Sequence, residues 1–396
     1  MKKTPLEKRI KRRITARRHI FFAVTPPGLK RLCHRELIQL GMDDAVMIPG
    51  GVEFKGFVHD CYTASLFLGS PSRIKMRIAA FKAENFRTLE KKLKNIEWEL
   101  YLKSNTHVNC EVTTRHSRLY HKKAIALKTE AAIVHHFLNT DNTARSETKS
   151  RDPKPCSATI FIRAENDQFD ISLDASGDLL YKRGIKKEVG SAPIRENLAF
   201  ALLNAAGFTK DDILFDPMCG SGTFILEGSM IKNNIPPGFY RTFAFEDWPC
   251  FSIGKWDYIK NQAEKKIKNT TETTLFASDV DKKNVDQLKA VLAELNMADT
   301  VNVFTKDFFS IKASDLSLKK GVVVLNPPYG KRMGNPKDVY SLFVKIGTHL
   351  KNNFSGWRTG IVLPDKSLAR ALPFSVSLTP GFHGGLDIFT ATGTIP

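Results

Sequence analysis

Four short apolar runs in the second half of the chain each lead to a polar residue. They are Ile213-Leu-Phe215 before Asp216, Thr274-Leu-Phe-Ala-Ser278 before Asp279, Thr300-Val-Asn-Val-Phe304 leading to Asp307, and Gly321-Val-Val-Val-Leu325 before Asn326. Between them the pattern changes period. Residues 224–231 and 281–295 carry apolar side chains near every third or fourth place, as helices do, whereas the short runs read as strands. Strands alternating with helices at this spacing predict a doubly wound α/β sheet. In such sheets ligands bind outside the carboxyl ends of the strands, and all four polar residues fall there.

The first run enters Asp216-Pro217-Met218-Cys219-Gly220-Ser221-Gly222-Thr223 and then a helix. Gly220 and Gly222 permit positive φ and close backbone approach to a ligand, and the helix N-terminus behind them adds partial positive charge. There is no Gly-x-Gly-x-x-Gly and no Lys-Ser/Thr after the glycines, so neither a dinucleotide fingerprint nor a phosphate loop is well matched. An amino-acid end with a carboxylate fits better. A glycine turn alone is often only structural, and Asp216 before it favours the functional reading. Asp279 can accept both hydroxyls of a ribose, and Asp307 can receive an adenine amino group. Either aspartate could instead cap a helix, the reading preferred for Asp281.

Asn326-Pro327-Pro328-Tyr329 sets an amide beside an aromatic ring at a strand's end. An exocyclic amine on a planar base attacks poorly, because its lone pair is delocalised into the ring. Acceptors that hold its hydrogens orient it toward an electrophile, and Asn326 Oδ1 with the Pro327 carbonyl supplies two. The paired prolines stiffen the loop, and Tyr329 offers a stacking face. In isolation the tetrad reads equally as a surface turn. Its place after the glycine turn, the ribose acid and the adenine acid selects base methylation.

These motifs resemble the class I S-adenosylmethionine-dependent methyltransferases of the RNA guanine-N2 type, residues 216–223 matching the cofactor motif and 326–329 the catalytic one. Tyr181-Lys-Arg-Gly184, Ala192-Pro-Ile-Arg-Glu-Asn-Leu-Ala199 and the closing Phe382-His-Gly-Gly-Leu-Asp-Ile-Phe389 narrow the likeness to RlmL-like enzymes of 23S ribosomal RNA. The resemblance implies a Rossmann-like, seven-stranded, mostly parallel sheet over 177–396. It also implies that Pro193, Arg195 and Glu196 cover the methionine end of the cofactor. Residues 20–80, with Phe21-Phe-Ala-Val-Thr-Pro-Pro-Gly28 and Gly50-Gly-Val-Glu-Phe54, resemble an α+β ferredoxin-like unit. Residues 81–176 resemble a THUMP RNA-binding domain, clearest in Val108-Asn-Cys-Glu-Val112 and in the stretch 117–125. There the likeness assigns RNA contacts to Arg115, Arg118, Tyr120, His121, Lys122 and Lys123. A transfer-RNA guanine-N2 methyltransferase shares these modules, and an RNA-binding ribosome assembly factor with a decayed site is a further reading. Some ribosomal enzymes of this kind carry a second methyltransferase domain, which the resemblance implies is absent from a chain ending at Pro396.

Charge points to RNA independently. The net charge is +19, and residues 1–200 hold 37 Lys+Arg against 22 Asp+Glu, while residues 201–396 hold 23 against 19. The excess lies where the RNA-binding modules are expected. Residues 1–19 are read as a disordered basic tail able to contact phosphates, or as a solubilising extension. With no run of about twenty apolar residues, no membrane span is expected, and the six scattered cysteines suit reduced thiols in the cytoplasm without structural zinc. No metal is expected at the histidines either. Cys219 is read as a small side chain in the turn rather than a nucleophile. The aromatics of the insertion at 234–248 are read as packing onto their own sheet, with lining of an RNA cleft as the alternative.

Overall fold

The structure is a computed structural model describing residues 4–141, 156–185, 194–268, 270, 272–328 and 336–396. It opens with α1 (Pro5–Ile10), where Thr4 and Glu7 exchange the two hydrogen bonds of a capping box, and continues into a π-helical turn, Lys11–Thr15. The disordered tail expected for residues 1–19 is corrected by this helix. Ile10 and Ile14, four apart on one face, are 8% and 1% exposed, and Arg9 pairs with both Glu97 and Glu99. The density of cations around two isoleucines hid an amphipathic segment.

The amino-terminal module contains β1 (His19–Val24), α2 (Lys30–Gln39), β2 (Val46–Ile48), β3 (Gly51–Gly56), α3 (Val58–Phe67) and β4 (Arg73–Lys82). It continues through α4 (Phe86–Lys94), β5 (His107–Arg115), α5 (Lys122–Asp141), β6 (Ser157–Glu165) and β7 (Gln168–Asp174). All seven strands join one sheet, in the order β2-β3-β1-β4-β7-β6-β5. β4 pairs with β1 on one side and β7 on the other, so a division at residue 80 runs through this strand.

The carboxyl-terminal module contains α6 (Glu196–Ala205), β8 (Leu214–Asp216), α7 (Thr223–Lys232), α8 (Ile253–Glu264), β9 (Leu275–Asp279), α9 (Lys282–Glu294) and β10 (Val301–Thr305). After these come β11 (Val322–Leu325), α10 (Pro336–Asn353), β12 (Arg358–Leu363), β13 (Ser377–His383) and β14 (Leu386–Thr394). The strand order is β10-β9-β8-β11-β12-β14-β13, with β14 antiparallel to both neighbours and the other described pairings parallel. β11 is buried along its whole length, which accounts for its unbroken Val-Val-Val-Leu. From β8 the chain winds outward to β10 and then returns to β11 on the other side. The crevice between β8 and β11 is therefore the topological switch point of the sheet.

The insertion before α8 corrects the expected destination of its aromatics. Phe243, Phe245 and Trp248, joined by Trp256 of α8, enter the core of the amino-terminal module, whereas Phe239 packs against its own module as expected. Tyr62 of α3 stacks on Phe245 with ring centroids 4.5 Å apart. Arg241 fastens the same segment by donating to the carbonyls of Leu179, Lys182, Ser176 and Asp178 at 2.7–3.0 Å. A second fastening is Arg183, which bonds Glu227 of α7 and the Gly69 carbonyl of the other module. Among the described residues, no helix is long and apolar enough to cross a membrane.

Candidate active site

The glycine turn occupies the switch point. β8 ends at buried Asp216, and Cys219 N–H then donates to the Ser278 carbonyl at 3.0 Å, tying the turn to β9. Gly220 and Gly222 have φ of +48° and +74°. At Gly222 a Cβ would lie 2.3 Å from Leu288 Cδ1, so the glycine lets α7 begin directly against α9. At Gly220 a Cβ would meet nothing within 4 Å, which leaves open space above the turn for a ligand. The helix cap is Gly222 and supplies no side-chain acceptor, so the positive end of α7 is offered toward that space.

Asp279 ends β9 and is wired into the turn: its Oδ2 accepts Gly220 N–H at 2.8 Å, and its Oδ1 accepts Asp281 N–H at 2.9 Å. Asn284 adds a contact to Oδ1 at 3.3 Å. The ribose acid expected from sequence is thus also a brace, and the carboxylate has lone pairs left for a ligand. Asp281 caps α9 through Lys283 N–H, as its sequence context predicted. Asp307 is exposed and caps a single turn by accepting Phe309 N–H at 3.1 Å. It lies beyond β10, whose Thr305 pairs with Asp279, so both acids stand at one edge.

Across the crevice, β11 pairs with β8 at Val323 and Phe215 and delivers Asn326 to the same edge. Asn326 Oδ1 is buried and accepts no hydrogen bond from the described residues. Burying an unsatisfied amide oxygen costs on the order of 1–3 kcal/mol, a penalty a substrate amine would relieve. Pro327 is buried and Pro328 exposed; Tyr329 lies outside the described residues. Burial, with Asp216 and Asp279 nearby, pushes the Cys219 thiol far up, so it stays protonated and is no nucleophile.

The start of α6 points to the same edge, because Gly207, just past its far end, accepts from Arg358 at the opposite end of β12. Arg195 is the residue before α6, Glu196 its first, and Pro193 lies outside the described residues. The Arg195 guanidinium sits 5.2 Å from the Tyr181 ring centroid. His383 was not singled out from sequence. It closes β13, its Nδ1 is buried without a hydrogen bond to the described residues, and burial together with Arg195 keeps its pKa below the usual imidazole value. The signal was the following Gly384-Gly385, whose φ of +59° and +84° turn the hairpin.

The six residues assigned to RNA contact cluster far along the chain from this site, between β5 and α5. Arg115, Arg118, Tyr120, His121, Lys122 and Lys123 are all exposed. Tyr120 and His121 pack ring to ring at 4.2 Å, while Arg118 is drawn to Glu84 and Asp167. No described residues form a metal-holding group of three or more His, Cys, Asp or Glu.

Comparison with known proteins follows this division. Residues 183–377 match the family model described as RMKL-like, methyltransferase domain, and residues 20–75 match the RlmL ferredoxin-like domain. YpsC of Bacillus subtilis, provisionally named an RNA methyltransferase, is 32% identical over 334 residues, 84% of each chain. Ribosomal RNA large subunit methyltransferase K/L of Psychromonas ingrahamii is 28% identical over 92% of this chain and 48% of its own. The chain therefore spans about half the length of that enzyme. Among solved structures, SMU.472, provisionally named a methyltransferase and complexed with SAH, superposes with a TM-score of 0.85 at 27% identity, covering 96% of this chain and 99% of that one.

Proposed function

Given that the chain belongs to the RMKL-like methyltransferase family, with the RlmL ferredoxin-like domain at its amino-terminal side, we propose that it methylates the exocyclic N2 of a guanine in 23S ribosomal RNA from S-adenosylmethionine. The observation carrying this reading is Asn326 Oδ1, a buried acceptor beside the glycine turn without a partner among the described residues. Bound S-adenosylmethionine supplies a methyl already activated on sulfur, leaving the protein to bind, orient and desolvate. The fit is good. Open space lies above Gly220, Asp279 holds spare lone pairs for ribose hydroxyls, and Asp307 stands one strand further for the adenine amino group. Asp216 through Thr223 line the cofactor, and Pro193, Arg195 and Glu196 attend its amino-acid end. Asn326 Oδ1 and the Pro327 carbonyl accept the two N2 hydrogens, Pro328 stiffens the loop, and Tyr329 stacks on the base. A guanine within duplex RNA leaves its stack at a cost of a few kcal/mol, which stacking and these hydrogen bonds partly offset.

Residues 81–176 serve in this reading as a THUMP module gripping RNA through the cluster from Arg115 to Lys123, and the reaction takes place in the cytoplasm. The test is methyl transfer from labelled S-adenosylmethionine to separate pools of unmodified 23S, 16S and transfer RNA and to immature large-subunit particles, with nucleoside mass analysis. N2-methylguanosine confined to 23S RNA supports the reading. Label in transfer RNA would move the substrate there, and no label in any pool would overturn the catalytic assignment.

A further inference from the structure

We propose that the docked amino-terminal helix is a second RNA-binding element, a fixed cationic face that grips phosphates beside the 81–176 module. The inference rests on the reading that the substrate is RNA. Its own support is the way this segment is held. Ile10 and Ile14 are buried, and His19 donates to the Ile14 carbonyl at 2.8 Å. Arg9 donates to Glu97 and Glu99 at 2.6 Å each, and Arg13 pairs with Glu97. Glu99 also bonds His136 of α5, so the ionic clasp reaches the helix that begins with Lys122 and Lys123. The remaining cations are not used in docking. Lys8, Lys11, Arg12 and Arg17 are exposed and form no ion pair with any described residue.

Lys8, Lys11 and Arg12 are exposed within one turn of each other, Lys11 at the rim of a cavity it lines with Glu7 and Ile10. The one acid in the segment, Glu7, is engaged in the capping box. This leaves a one-sign surface on a rigid support. A partner built of closely spaced, exposed negative charges fits it, and the phosphate backbone of RNA has that form. Cations carried on a docked helix lose less backbone freedom on binding than those of a loose tail. The family match for the ferredoxin-like domain begins at residue 20, so the helix adds to the matched module.

The test uses the full chain and unmodified 23S ribosomal RNA in filter binding between about 50 and 200 mM salt. The variant Lys8→Ala/Lys11→Ala/Arg12→Ala/Arg17→Ala is compared with an equal charge removal at exposed sites elsewhere, Lys265→Ala/Lys266→Ala/Lys289→Ala/Lys351→Ala. Four lost phosphate contacts lower the slope of log K against log salt by roughly 3–4. The wild-type loss of affinity across that range should then exceed the helix variant's by about a hundredfold. The control variant should keep most of the wild-type slope, and both should keep wild-type cofactor affinity and Tm. Equal effects in the two variants, or an unchanged slope in the helix variant, would overturn the proposal while the RNA reading stands. Absence of RNA binding by the wild-type chain would overturn both.

Discussion

Arg183 Nε and Nη2 donate to the two carboxylate oxygens of Glu227 at 3.0 and 3.2 Å, with both side chains almost completely buried. The guanidinium also holds the carbonyls of Leu180 and Gly69, so one side chain joins the cofactor helix α7, the inter-module segment and the amino-terminal module. Removing one partner strands a buried charge. Arg183→Ala should therefore lower stability by about 3–5 kcal/mol, and Arg183→Met/Glu227→Leu by less than either single change. Urea unfolding of the three proteins checks the order.

In the proposed reaction Asn326 and Asp279, both at strand ends, have different duties. Asn326→Ala should reduce kcat on RNA by roughly a hundredfold or more, with cofactor affinity nearly intact, since it removes an acceptor for the reacting amine. Asp279→Ala should chiefly weaken the cofactor, because it loses ribose contacts and releases Gly220 N–H. Calorimetric cofactor titration beside steady-state kinetics separates them. An equal loss of cofactor affinity in both would contradict the division.

The two glycines of the turn should part in the same way. An alanine at Gly222 places its Cβ 2.3 Å from Leu288 Cδ1 on top of an unfavourable φ, so Gly222→Ala should lower Tm by several degrees. Gly220→Ala meets only the backbone penalty, about 1–2 kcal/mol at most, and its new methyl points into the ligand's space. Weakened cofactor binding out of proportion to lost Tm is the expected signature.

His349 supplies one part of the pH dependence. Its Nε2 donates to the Ile311 carbonyl at 2.9 Å, and Asn353 Nδ2 approaches its Nδ1 at 3.2 Å, an arrangement for the neutral ring. Burial lowers its pKa below 6.5, against the opposing pull of the Ile311 bond and Asp307. The unfolded chain binds a proton first as pH falls through 6.5. This contribution to stability is thus whole above 6.5 and lost as pH drops toward the folded pKa. His349→Gln, which retains an amide donor for Ile311, should flatten the decline of Tm between about pH 7 and 5.

Legibility of the sequence followed the range of the contacts. The strand-end positions of Asp216, Asp279 and Asn326 were legible because each ends or follows a buried strand whose apolar run is local. Asp307 was legible as a strand-end acid, and its sequence context allowed the cap that the structure contains. The amino-terminal helix was not legible, since Ile10 and Ile14 are buried in a core built by distant segments and Arg9 pairs with Glu97 and Glu99 far away in the chain. Nor was the destination of Phe245 and Trp256, whose partner Tyr62 lies in another module. His383 escaped notice because an imidazole at a hairpin has no meaning until Arg195 is beside it.

That shared aromatic core also imposes a timetable. During synthesis the strands of the amino-terminal sheet are complete at Asp174, but Trp256 emerges about 80 residues later, roughly 4–16 s at ordinary elongation rates. Throughout that interval the Tyr62 face of α3 is open. The core of the module made first is thus completed by residues belonging to the module made second.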